Sequence, residues 1–488
     1  MSNSSQSLTF DDGAHQSGAL KIEQHGIDFI PESDRGLSLR DLFMIWFGAN
    51  VIYLYIVDGA IIVGFGLSFW PAMSVVLTAN LLYVLLGLNS VAGPRAGTAM
   101  LTISRASFGI RGNKVPSFLS WFTAVGWEAV NIVIGTLSLV QLVELWGMHG
   151  GTGLELFCLA IIILLTFSVT IFGHAMITQM NKLLSYGLGL GTLVLGIYII
   201  PHINLHTHPQ LSSGTTGVGA WLLAFLIIAS APISWLNCAA DYSRYLPTKT
   251  PGKKIVLWVT LGGAIPSFLI AFVGVAASTE TNMSNPIGGL QHLLPGWFFG
   301  CYLAVIVGGT VTNNFLNTYS SSMSLLTLGL KMKRYKAVFI DATVGTALSV
   351  YAIFVSNFIN SFINFLSLTV LWLVPWGAIY LADTFLRKGR FSPEALHAKS
   401  GPYWYHQGWN IPATVWLVLG IAISSMFSNN TLWHGYFVND VGGGDLSIFV
   451  GFAVTGAGYY LTVAKRFGAP RTAETRGNVD AAEAIVDG

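Results

Sequence analysis

Charge is scarce in this chain. Of its 488 residues only 9% are Asp, Glu, Lys or Arg, against 53% hydrophobic. A water-dispersed surface needs about 25% charge, so a soluble globular domain is excluded and the solvent is read as lipid. Cysteine is almost missing: Cys158, Cys238 and Cys301 sit in apolar runs without metal-ligand or disulfide spacing and are read as small packing residues. No GxxxxGK[ST] phosphate loop occurs, which excludes an ATP-driven pump carrying its own nucleotide site. Met1 to about Gly36 is Ser-rich and polar, without the basic start and apolar core of a signal peptide. No His-rich cluster or nucleophile-and-base motif interrupts the apolar runs, so no enzyme, metal or cofactor is expected. The net charge of +2 is spread as topology requires, not as a nucleic-acid patch.

What is present is a series of twelve apolar runs, starting near Leu42, Pro71, Pro116, Leu156, Leu183, Val218, Ile255, Trp297, Ala337, Phe362, Ile411 and Leu446. Each is about 20 residues or longer, enough to cross a bilayer as a helix. The expected fold is an all-α polytopic membrane protein of twelve transmembrane helices. Drawn this way, all 24 Lys and Arg residues fall on one side of the membrane. The positive-inside rule then puts both termini in the cytoplasm of a multi-pass plasma-membrane protein, with residues 1–36 and 469–488 as cytoplasmic tails.

Membrane helices interrupt their hydrogen bonding only where the freed backbone faces protein or a polar cavity. Two runs carry such signals. The first reads Trp46-Phe47-Gly48-Ala49-Asn50, with Gly48 as the expected break. The sixth reads Ser230-Ala231-Pro232-Ile233-Ser234-Trp235-Leu236-Asn237, where Pro232 removes a backbone donor. Five spans separate them, and an odd-numbered repeat inserts its second copy upside down. Residues 37–200 (spans one to five) and 217–386 (spans six to ten) are therefore expected to be inverted halves meeting at the midplane, with spans eleven and twelve in 411–465.

Polar side chains inside the runs need a reason. Trp127 and Asn131 share a helical face in the third span; an indole beside an amide suits a planar heterocycle, by stacking and edge pairing. Packing and helix-to-helix hydrogen bonding explain the same residues equally simply. In the eighth span Thr310, Thr312, Asn313, Asn314 and Asn317 crowd a stretch too polar for lipid, read as a second amide wall or as interhelical glue. Four acids lie in or near the membrane: Asp58, Glu128, Asp241 and Asp341. A buried acid is a functional hypothesis by default. Asp58 and Glu128, placed deepest, are the candidates for binding and releasing a coupling proton.

At Asp241-Tyr242-Ser243-Arg244-Tyr245-Leu246-Pro247 the chain resembles the purine-cytosine permease group of the nucleobase:cation symporter family. Trp46 to Asn50 is similar to that group's broken first helix, Ser104 to Gly112 to its loop between spans two and three, and Asn313-Asn314 to its eighth-span amide pair. The resemblance runs from about Leu37 to Lys465. It implies a five-plus-five inverted-repeat core with broken first and sixth helices, plus two C-terminal helices, and uptake of a nucleobase with a cation by alternating access. By motif position it implies a ring stack on Trp127, Asn131 beside it, pairing by Asn313 or Asn314, and contacts from Asn50, Ser234 and Trp235. Sodium-coupled relatives carry two hydroxyl side chains where this chain has Val307, Gly308 and Gly309, so a proton is the expected cation rather than sodium. Cytosine and purines (adenine, guanine, hypoxanthine) lead as cargo; allantoin, hydantoin, uracil, thiamine or pyridoxine use the same scaffold. A channel would want a continuous polar pore instead of paired breaks.

Overall fold

The computed structural model describes residues 26–468, apart from 149, 173, 208, 284 and 331–333. A helix stands at every predicted run. The first span is split into Leu39–Asn50 and Leu54–Gly64; then follow Phe69–Ala96, Lys114–Leu145, Gly151–Phe172, His174–Ile199, Gly217–Ser243, Gly252–Ser278, Gly296–Leu328, Arg334–Val350, Phe358–Leu386, Ile411–Ser425 and Ser447–Gly468. These are numbered as spans one to twelve below. Among the described residues nine helices are long and apolar enough to cross a bilayer, and the bent pair of span one makes ten. The fifth and eleventh positions hold shorter apolar helices, Tyr186–His202 and Ile411–Ser425. The helix His174–Ile199 contains the expected start of span five near Leu183 and carries Lys182 within it.

Local sequence sets several of these ends. Ser38 and Asp41 close a capping box at the start of span one. The Thr216 hydroxyl accepts from the Gly219 N–H at the start of span six, and Asn357 caps span ten through the Ile359 and Asn360 amides. Apolar side chains such as Trp70, Leu164, Ile197, Val218 and Leu461 are largely exposed on the outside, a surface suited to lipid and not to water.

Small residues bring helices together. A Cβ on Gly59 of span one would come within 2.5 Å of the Ala271 carbonyl oxygen, and one on Gly274 within 2.3 Å of the Ile56 carbonyl oxygen, so spans one and seven pack backbone against backbone. Spans three and eight, 32 and 33 residues long, run side by side. At about 1.5 Å per residue each is close to 50 Å long, well beyond a roughly 30 Å hydrocarbon core.

The basic loops gather at one end. Arg35 donates to the carbonyls of Ile30 (2.9 Å) and Pro94 (2.7 Å) and to Thr248 (2.7 Å). Arg105 reaches Thr327 and Leu396, Arg244 reaches Gly26 and Tyr319, and Arg387 reaches Asp383 and Ala106. The segment before span one and the loops after spans two, six, eight and ten thus form one interlocked face. On that face Glu32 is held below the ordinary carboxylate range, first by the Thr248 hydroxyl hydrogen bond.

Candidate functional site

Both helix interruptions fall three residues beyond the residues that announced them. Gly48 lies inside Leu39–Asn50; the helix opens at Val51–Tyr53, and the two halves meet at 54°. Its carbonyl serves as the last turn, accepting from the Val51 N–H. Pro232 lies inside Gly217–Ser234, and the α-helix gives way at Trp235 to a 3-10 turn over Leu236–Cys238 before resuming at Ala239–Ser243. Pro232 lacks an N–H of its own, but residues after it can still donate to carbonyls one turn back, so the helix continues for a few residues.

Between these openings and spans three and eight lies a cavity. Span one supplies Ile52, Tyr55 and Asp58; span three Thr123 and Trp127; span six Ser234, Trp235 and Asn237; span eight Asn313, Asn317 and Ser320. The cavity is largely walled by two indoles and short aliphatic groups, with amides and one acid spaced among them.

Each indole is braced edge-on. Trp127 packs against Phe365 (centroids 5.3 Å apart, 84°) and Phe362 (6.2 Å, 75°). Phe365 in turn occupies the space a Cβ on Gly126 would need, 2.2 Å from its Cε2. Trp235 packs against the fully buried Trp46 at 5.5 Å and 76°. Such T-shaped contacts fix ring planes while leaving a face free.

The amides are oriented by neighbours. Asn131 does not line the cavity; its Nδ2 donates to the Trp127 carbonyl (3.0 Å) and to Asn313 Oδ1 (3.2 Å). That leaves the Asn313 nitrogen as its group for the cavity. Asn317 Nδ2 donates to Asn314 Oδ1 at 3.2 Å, which leaves the Asn317 oxygen. One turn of span eight therefore carries a donor and an acceptor side by side.

Several expected site residues lie elsewhere. Asn314 is fully buried behind the wall and donates to the Glu128 carbonyl at 3.2 Å. Asn50 is also fully buried: it donates to the Trp46 carbonyl and accepts from Tyr55 and Tyr83, so it touches the cavity only through Tyr55. Glu128, adjacent to Trp127 in sequence, is turned about 100° around the helix and faces Gly345 of span nine, whose added Cβ would lie 3.9 Å from Oε2. Asp58 does line the cavity, with Oδ1 buried and lacking a hydrogen-bond partner. Ser234 lines it too, its hydroxyl turned back on the Ala231 carbonyl. Asp241 accepts from the Met100 N–H, and Asp341 from Trp121 and Ser321, away from the cavity.

Sequence reading missed Tyr55, Thr123, Asn237 and Ser320 as lining residues. Two were within reach. Thr123 stands one turn before Trp127, and Ser320 continues the stripe of Asn313 and Asn317 at helical spacing. Tyr55 and Asn237 sit beside the interruptions, where no periodicity points.

Comparison with known proteins bears on the family and the fold. Residues 29–451 match the family described as permease for cytosine/purines, uracil, thiamine, allantoin. The putative purine-cytosine permease YxlA of Bacillus subtilis is 31% identical, covering 92% of this chain and 97% of its own length. The purine-cytosine permease fcyB of Emericella nidulans is 26% identical over 90% of this chain and 88% of its own. Among solved structures, the closed, bromovinylhydantoin-bound form of Mhp1, a nucleobase-cation-symport-1 family transporter, superposes with a TM-score of 0.72 at 18% identity, covering 94% of this chain and 99% of that one. This is the inverted-repeat transporter fold, with interrupted first and sixth spans in the expected places. On the match across most of its length, the chain belongs to the family of permeases for cytosine/purines, uracil, thiamine and allantoin.

Proposed function

We propose that this protein is a secondary symporter that imports a nucleobase-type heterocycle, cytosine or a purine first among them, together with a proton. One observation carries the reading: Asn313 and Asn317 are each held by a neighbouring amide so that a nitrogen donor and an oxygen acceptor are left one helical turn apart in a cavity walled by Trp127 and Trp235. A planar ring with adjacent C=O and N–H groups on one edge complements that pair, and its faces suit the indoles. A ring lacking either group would leave a buried amide unsatisfied, which disfavours it strongly. Uracil, allantoin and hydantoin present similar edges and are the alternative cargo, ahead of thiamine and pyridoxine.

The cation reading rests on two features. Asp58 puts an unpartnered carboxyl oxygen at the cavity wall. At the start of the polar stretch of span eight, Thr310 turns to the Val307 carbonyl and Thr312 to those of Gly308 and Gly309, so the nearest hydroxyls bond their own helix. In this reading residues 37–200 and 217–386 are the two repeats, the interlocked basic face is cytoplasmic, and the membrane is the plasma membrane.

The test is uptake into proteoliposomes across a panel of cytosine, adenine, guanine, hypoxanthine, uracil, allantoin, hydantoin, thiamine and pyridoxine, at several pH values. Accumulation driven by an inside-alkaline gradient, and unaffected when choline replaces sodium, is the expected result. Transport that stops without sodium overturns the proton; transport of none of the panel overturns the cargo.

A further inference from the structure

Behind the cavity wall, spans three, eight and nine enclose a second polar site that the cargo cannot touch. Its centre is Glu128, fully buried, with both carboxyl oxygens lacking a hydrogen-bond partner among the described residues. The groups around it come from every side. Span eight offers Thr318, whose hydroxyl is committed to the Asn314 carbonyl at 2.8 Å. Span nine offers Gly345 and, one turn earlier, Asp341. Phe167 of span four and Val125 of span three close the remainder, each 3.9 Å from the position of a Cβ on Gly345. Asp341, one helical turn before Gly345, is the titratable group that span nine turns toward this seam.

The two acids are treated differently by their surroundings. Asp341 Oδ1 accepts from Trp121 Nε1 at 2.7 Å, and Oδ2 lies 2.6 Å from the Ser321 hydroxyl. Beside Glu128 stands the Thr318 hydroxyl, whose proton already goes to the Asn314 carbonyl. An isolated carboxylate taken out of water without donors or a counter-ion is far costlier than its neutral acid, and two like-charged carboxylates sharing a site do not both ionise. Such an arrangement favours a bound proton on Glu128, the acid without strong donors.

We propose that Glu128 and Asp341 form a proton-binding site separate from the substrate cavity, its occupancy transmitted to the cavity through Asn314 and Asn317. The ligand is a single proton: Glu128 takes it up as a carboxylic acid and releases it as a carboxylate, with no other bond made or broken. The link is direct, since Asn314 Nδ2 bonds the Glu128 carbonyl and Asn314 Oδ1 holds Asn317, which lines the cavity. Loss of the proton puts unpaired charge beside Asp341 and pushes spans three and nine apart, which displaces the amide that orients Asn317. That this proton is the transported one rests on the symport reading; that the site binds a proton does not.

Infrared titration of the purified, substrate-free protein tests the site. Wild type is expected to show the carbonyl band of a buried carboxylic acid that vanishes on alkalinisation. Glu128→Gln should lack it, and Asp341→Asn should lose it at lower pH than wild type, because the neighbouring negative charge that opposes ionisation of Glu128 is gone. Both substitutions are nearly isosteric, and a melting curve checks folding. A band that persists in Glu128→Gln and disappears in Asp58→Asn overturns the proposal, as does the absence of any such band in wild type. In proteoliposomes loaded with a pH dye, the proton movement that accompanies cytosine uptake should be lost in Glu128→Gln; its persistence overturns the coupling. If wild type moves no cytosine or other panel member, the cargo reading fails while the infrared result stands by itself.

Discussion

Trp127 and Glu128 are neighbours in sequence, as are Asn313 and Asn314, yet each pair is divided between two sites. Trp127 and Asn313 line the cavity; behind it Glu128 faces span nine and Asn314 bonds the Glu128 carbonyl. The cause is helical geometry, because consecutive residues point about 100° apart. One pair of packed helices can thus carry a binding surface on one side and a buried polar site on the other, joined through Asn131, Asn314 and Asn317. Adjacent residues in a membrane helix do not share a role merely by being adjacent.

The division can be broken from either side. The largest effect is expected from Trp127→Ala, which removes a stacking face worth about 1–3 kcal/mol per base, or roughly 5- to 150-fold in affinity. Isothermal titration with the selected heterocycle measures it, and unchanged affinity would place the ring elsewhere. Next come the two amides side by side. Asn313→Ala should weaken binding about tenfold, since it removes the cavity's donor. Asn314→Ala removes no cavity group but frees Asn317, so it should weaken binding less than Asn313→Ala and lower stability by about 1–3 kcal/mol, because the Glu128 carbonyl and the Asn317 nitrogen lose their partner. Paired melting and binding curves separate the two, and a reversal of the pattern would exchange the roles assigned here.

Glycine substitutions give a gentler contrast. A Cβ at Gly126 drives Phe365 off the edge of Trp127, so Gly126→Ala is expected to cost about 1–3 kcal/mol of stability by overpacking and to weaken binding with it. At Gly345 the new methyl would meet Glu128, Phe167 and Val125 at ordinary contact distance. Gly345→Ala is expected to change stability by no more than about 1 kcal/mol and to leave heterocycle affinity untouched. A large loss of affinity there would mean that the seam is not separate from the cavity.

Much of this was legible in the residues. Hydropathy located the runs at which helices stand, since a lipid-facing helix needs an unbroken apolar run; among the described residues ten reach spanning length with the bent pair counted as one, and the apolar helices at the fifth and eleventh runs are shorter. The interruptions were announced by Gly48 and Pro232 and displaced by three residues, because a helix ends where its last satisfiable carbonyl lies rather than where the disturbing residue stands. Trp127, Asn313, Ser234, Trp235 and Asp58 do line the cavity; Asn50, Asn131 and Asn314 stand behind it as supports.

Composition and periodicity by themselves determined that this chain lives in lipid, folds into helices and opens two of them, because burial of backbone polar groups in hydrocarbon permits little else. They also collected the polar groups that matter. Which amide meets a ligand and which braces another, and which acid faces the cavity and which the seam, was decided only by tertiary packing. Those roles depend on the rotation of spans three and eight against their neighbours, set by small residues at the contacts, such as Gly126 and Gly135, and by partners more than a hundred residues away.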